Sequence, residues 1–161
     1  MKREILTPRL TGIRSTLRLL SAGAGTRIAF RIEDQSGGGL IFFRDPDGVL
    51  GFALLGSKEV EMVRSDDAEQ AEDYGLIATS WALDDRAHQL EFIFTKDGKK
   101  GAELWFDGIL VAQQISYRPV RKSGLTAGFS GQAPLGERYK LAVEEFEVFR
   151  RKAVSVREQE Y

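Results

Sequence analysis

The chain has no cysteine. That absence removes thiol nucleophiles, disulfide cross-links and cysteine-ligated zinc together. It leaves the compartment open, since secreted bacterial proteins often lack cysteine as well. There is one histidine, His88, so any Ser-His-Asp device must use it, and no Gly-x-Ser-x-Gly elbow accompanies it. No apolar run approaches the roughly 20 residues of a membrane-spanning helix. Neither charge sign dominates, with 23 Lys and Arg against 24 Asp and Glu. A nucleic-acid binder needs a concentrated positive field to displace phosphate counterions. Arg118, Arg121 and Lys122, and later Arg150, Arg151 and Lys152, form only short clusters flanked by carboxylates and read as solvated edges. Nucleic acid is not an expected partner. The glycine runs lack phosphate-loop chemistry too: Ser21-Ala22-Gly23-Ala24-Gly25 has no lysine, and Gly37-Gly38-Gly39 precedes a strand instead of a helix.

The N-terminus has a scatter of Lys2, Arg3, Arg9, Arg14 and Arg18. A secretory signal needs an unbroken apolar stretch of about 7–15 residues, which Arg14 and Arg18 interrupt. The expectation is a protein without a cleaved leader, or a piece of a longer secreted one. Location is thus left open between the cytoplasm and, for such a piece, the outside of the cell.

What is present is ample apolar material: 42% of 161 residues, including 10 Phe. A chain of this size buries roughly two-thirds of its extended surface, so residues 1–161 are expected to make one domain, with 1–24 as edge strands or an arm. From His88 to Thr95, Leu90, Phe92 and Phe94 alternate with Gln89, Glu91 and Thr95, the period of a strand packed on one face. After the polar turn Lys96–Gly101, the apolar runs Ala102–Phe106 and Ile109–Ala112 flank Asp107-Gly108. Asp-Gly at that position predicts a type I′ hairpin. In that register Phe106 pairs with Ile109 and Leu104 with Val111, all four on the core face, with Trp105 and Leu110 opposite.

Gly124–Ser130 predicts a strand with Leu125, Ala127 and Phe129 inward. Tyr139–Phe149 predicts another whose alternation changes phase, which a β-bulge near Glu144-Glu145 explains, the alternative being a strand that crosses there from one neighbour to another. In the first half, Thr26–Glu33, Leu40–Arg44 and Val49–Leu55 read as strands, the last two joined by the turn Asp45-Pro46-Asp47-Gly48. Lys58–Arg64 and Gly75–Leu83 are further expected strands, and Ser65–Asp73 an acidic loop or single helical turn. Residues 9–20 fit helical spacing through Leu10, Ile13, Leu17 and Leu20, but Thr7, Thr11, Thr16 and Gly12 weaken a helix, and strands are preferred. Ten to thirteen short strands with little helix make an all-β, two-sheet antiparallel β-sandwich of jelly-roll type.

Three segments together, Ala87–Phe92, Glu103–Val111 and Val143–Phe149, resemble the concanavalin A-like lectin/glucanase superfamily, especially its laminin-G-like members. The shared features are a histidine opening a strand, an apolar strand ending in Asp-Gly, and an acidic closing strand. In such proteins these residues are structural, so the resemblance implies a fold. Jelly-roll glucanases carry two glutamates and an aspartate on one strand, in the order Glu-x-Asp-x-Glu or Glu-x-Asp-x-x-Glu. This chain lacks that string; Glu145-Phe146-Glu147 puts two carboxylates on one face of a strand but lacks the intervening aspartate. Galectin-like and legume-lectin signatures are missing, so no set of sugar contacts can be carried over.

Sugar binding usually uses an aromatic ring that stacks on a pyranose. Trp105 is the leading candidate, with Trp81, Tyr74 and Tyr117 as residues that could border the same surface. Asp45 and Asp47, or the run Asp66, Asp67, Glu69, Glu72 and Asp73, offer the oxygen ligands calcium prefers, although a turn and a charged loop explain them better. No other cofactor is expected. The functional expectation is a non-catalytic binding or interaction module for a glycan or another protein, with carbohydrate favoured by resemblance. A polysaccharide-cleaving jelly roll and a purely structural or assembly protein are the alternatives.

Overall fold

The computed structural model describes residues 2–6, 10–56, 61–94, 101–119 and 124–150. Eleven strands and one helical turn follow in chain order: β1 Lys2–Leu6, β2 Leu10–Ala22, β3 Arg27–Asp34, β4 Gly39–Arg44, β5 Leu50–Leu55, β6 Met62–Arg64, α1 Ala71–Tyr74, β7 Ala87–Phe94, β8 Ala102–Phe106, β9 Ile109–Ile115, β10 Gly124–Gln132 and β11 Tyr139–Arg150. They form a six-stranded sheet in the order β1-β10-β3-β4-β5-β6 and a five-stranded sheet in the order β11-β2-β7-β8-β9. Every pairing is antiparallel. This is the all-β sandwich that the alternation predicts.

One core fills the space between the sheets. The six-stranded sheet contributes Ile28, Phe30, Ile32, Leu40, Phe42 and Phe52, and the five-stranded sheet Ile13, Leu17, Leu90, Phe92, Leu104 and Phe106. Rings meet across the gap: Phe30 stacks on Phe92 at 5.3 Å between centroids and Phe42 on Phe106 at 6.2 Å. Of residues 9–20, Leu10 onward is strand, as preferred, and residue 9 lies outside the described set. Here β2 lies between β11 and β7, and burying one face of alternating residues on both neighbours outweighs the helical spacing of its leucines.

The closing strand shows its expected bulge. Val143 faces Leu17 and Glu145 faces Thr16, so Glu144 is the extra residue. The Asp107-Gly108 corner also forms, with φ of 49° and 76°, the pair of positive values a type I′ turn requires.

Three expectations need correction. Leu104 pairs with Ala112, not Val111, because Val111 is itself a bulge between Leu110 and Ala112. Ile109 pairs with Phe106 as expected, yet it is 44% exposed at the sandwich rim and leaves the core face to the other three. Gly75–Leu83 is not a strand. Leu50 there gives its carbonyl to Ser65 and its N–H to Thr79, so beyond the β5–β6 pairing only Ser80 finds a bridge, to Val49. Of Lys58–Arg64, Met62–Arg64 is strand and residues 57–60 lie outside the described set, as do the Lys96–Lys100 turn, Arg121, Lys122, Arg151 and Lys152. The acidic stretch 65–73 does end in a single helical turn, α1.

Candidate ligand-binding site

The outer face of the six-stranded sheet dips into a groove of about 670 Å³ over β1, β10 and β3. Its floor follows from the alternation of β10. Leu125 and Ala127 are fully buried in the core and Phe129 packs against it, which turns Gly124, Thr126, Gly128 and Ser130 outward. Four small side chains in a row leave a trough where larger ones would fill it. The walls come from the neighbouring strands. On β1 only Ile5 is buried, so Lys2 and Glu4 face out, and on β3 Arg31 and Glu33 alternate with buried Phe30, Ile32 and Asp34. Arg31 Nη2 meets Glu33 Oε2 at 3.0 Å.

Beyond the groove, the same face is closed by charge. Phe43 points outward from β4 but has no exposed surface. Its ring lies against Gly51, where a Cβ would approach Phe43 Cζ to 2.5 Å, and the Arg27 guanidinium sits 5.3 Å over it. Arg27 is held by Asp45 Oδ1 at 2.7 Å, and Arg64 reaches Asp45, Asp47 and Asp66 at 3.0, 2.7 and 3.0 Å. Hydrogen bonds from Arg64 are the leading cause holding the Asp47 and Asp66 carboxyls below their usual range. The acceptors on Asp66 and Asp47 in turn raise the Arg64 guanidinium. Arg44, buried under the sheet, donates Nε–H to the Trp81 carbonyl at 2.7 Å; burial lowers its pKa, which the Asp47 charge partly offsets. Asp45 and Asp47, the carboxylates considered for calcium, thus face guanidinium groups where a cation would sit. Among the described residues no set of three or more acidic or histidine side chains gathers into a metal site.

The aromatic candidates do not share one surface. Trp81 is 1% exposed, between Phe106 and His88 at one end of the core. Tyr117 is buried and donates its hydroxyl to Asp34 Oδ2 at 3.2 Å; burial, then the Asp34 charge, raise its pKa. Tyr74 on α1 packs edge-on against Phe52 at 4.9 Å. Only Trp105 stands on an outer face, half-buried, where it pairs with Leu110 and with Glu91 and donates its indole N–H to Glu103 Oε1 at 3.2 Å. That face belongs to the five-stranded sheet, opposite the groove. Glu145 and Glu147 lie on its edge strand, where Glu147 pairs with Arg14.

His88 secures strand ends. Its Nδ1 meets Asp107 Oδ2 at 2.5 Å and its Nε2 meets Asp84 Oδ1 at 2.9 Å, and its ring stacks on Phe106. Burial pulls its pKa down, but the hydrogen bonds to Asp107 and Asp84 outweigh that, and the net shift is upward.

Sequence reasoning missed the groove residues. The available signal was the small outward set Gly124, Thr126, Gly128 and Ser130. What could not be read was that β10 lies between β1 and β3, more than ninety residues away from either.

The two-layer antiparallel sandwich is a fold of the concanavalin A-like lectin/glucanase type, shared with galectins and a carbohydrate recognition domain of known structure. Among solved structures the chain is similar to a tetrameric galectin from the ball sponge Cinachyrella sp., with a TM-score of 0.59 at 15% identity over 92% of this chain and 99% of that one. It is similar also to the carbohydrate recognition domain of Emp46p in its potassium-bound form, with a TM-score of 0.65 at 11% identity over 91% and 74%. A glycosyl hydrolase family protein from Mycobacterium fortuitum matches with a TM-score of 0.55 at 13% identity over 92% and 68%. No protein-family model and no curated protein sequence matches the chain.

Proposed function

We propose that the chain is a binding module that takes a glycan in the groove on the outer face of its six-stranded sheet. The observation that carries this reading is the groove itself, with a floor of glycine, threonine and serine and walls of Lys2, Glu4, Arg31 and Glu33. A sugar ring needs close approach to a smooth surface and several strong hydrogen-bonding groups around its hydroxyls. Carboxylates and a guanidinium supply bonds of about twice the strength of neutral ones. The galectin and carbohydrate-recognition-domain folds it resembles support the ligand class.

The test is a glycan array followed by calorimetry on each hit. Thr126→Trp fills the trough from its floor without entering the core, so binding is expected to fall at least tenfold while the thermal midpoint stays within a few degrees. Undiminished binding by that variant would move the site elsewhere, and no hit from a broad array would remove the glycan reading. Cleavage of a bound oligosaccharide that Glu4→Gln abolishes would transfer the protein to the hydrolases.

A further inference from the structure

Strand register determines which groove side chains face each other. Lys2, Gly128 and Arg31 stand in one line across β1, β10 and β3, and Glu4, Thr126 and Glu33 stand in the next. Adjacent strands lie about 4.8 Å apart, so each wall residue is roughly 10 Å from its counterpart across the floor. The two lines are two residues apart along the strands, about 7 Å. The groove is therefore zoned, with a cationic line over glycine and a carboxylate line over threonine. Arg31 and Glu33 touch along one wall, whereas Lys2 and Glu4 on the other form no ion pair among the described residues.

A neutral sugar would satisfy the carboxylate line and leave Lys2 without an anion, with Glu33 alone set against Arg31. We infer that the groove takes an acidic sugar, a hexuronate unit of a glycan, with its carboxylate between Lys2 and Arg31 and its ring hydroxyls on Glu4 and Glu33. This rests on the groove being the glycan site. A pyranose with a carboxylate at C6 has its vicinal O2 and O3 hydroxyls across the same ring, so one unit reaches both lines. The planar guanidinium of Arg31 matches a carboxylate with two parallel N–H donors, and the missing side chain at Gly128 leaves space for that group between the two cations.

Calorimetry with a 1,4-linked tetragalacturonate, its carboxyl-reduced neutral counterpart and a sulfated neutral tetrasaccharide tests the proposal. The uronate is expected to bind at least tenfold more tightly than the reduced form, and to weaken as salt rises from 50 to 200 mM. The Lys2→Gln, Arg31→Gln double variant is expected to lose that preference, so that its affinities for the uronate and the reduced form become equal. Equal affinity for uronate and reduced sugar would overturn the acidic preference and leave the glycan site standing. Tight binding of the sulfated sugar with none of the uronate would overturn the assignment of a carboxylate. Failure of every glycan, here and on the array, would remove the underlying reading as well.

Discussion

His88 stands where the 76–86 segment, the start of β7 and the Asp107-Gly108 corner meet. Its folded pKa lies above the ordinary value. A group raised in this way stabilises the fold fully below its unfolded pKa, about 6.5, and loses that contribution as pH rises through the folded value. The urea midpoint should therefore decline above about pH 6.5, and the decline should vanish in His88→Gln. Trp81 offers a second residue-scale test. Its indole nitrogen is buried without a hydrogen-bond partner, so Trp81→Phe removes an unsatisfied donor along with some packing. Chemical denaturation should show it costing far less than Trp81→Ala, for which about 3–5 kcal/mol is usual. Gly51 has the opposite character. A methyl there would lie 2.3 Å from the Val63 carbonyl and 2.5 Å from Phe43, so Gly51→Ala should destabilise by about 1–3 kcal/mol through overpacking.

At the scale of elements, β11 depends on one residue being out of step. Leu141, Val143, Phe146 and Val148 all pack against the core, although Val143 and Phe146 are an odd number of positions apart. Glu144 absorbs the difference, and its side chain meets Arg18 at 3.1 Å. Deleting Glu144 would turn Phe146 and Val148 to solvent, so circular dichroism on the deletion protein should show lost thermal stability, whereas Glu144→Ala keeps the bulge and should cost little. Much at this scale was readable beforehand because it is local. Alternation marked β7 and β8, the phase change located the bulge, and Asp107-Gly108 specified its turn. What went wrong was non-local. The run 75–83 has strand composition, but its place beside β5 is taken by the Ser65 end of the β6 segment. Ile109 has strand propensity and still lies at the rim, which no period of two can reveal.

For the molecule as a whole, the consequential fact is that both sheets share one core. Phe42 and Phe92 belong to different sheets and are 1% and 0% exposed. Truncating either to alanine should cost about 3–5 kcal/mol, and in each case the fluorescence of the two tryptophans and the far-ultraviolet signal should report one coincident transition. The groove belongs to this scale too, which is why the sequence hid it. In the sequence Lys2 belongs to the basic scatter of the N-terminus, Arg31 and Glu33 fall in one expected strand, and Thr126 and Gly128 fall in another far along the chain. They become a site only when the two ends of the sheet are folded together. Trp105, the residue that chemistry favoured in isolation, ends on the opposite face.

The irregularities of β9 matter when many copies are crowded together. Val111 is one extra residue, and between Ala112 and Ile115 the strand carries another, where Gln114 has a φ of 60°. The outer edge of the five-stranded sheet, where the Val111 carbonyl already accepts the Ile77 N–H, therefore offers its remaining N–H and C=O groups at broken intervals, and a flat extended chain cannot zip along it. At the far edge of the other sheet, β6 is 3 residues long. Two borders of the sandwich are thus poor templates for fibril growth, and concentrated solutions are expected not to aggregate through them.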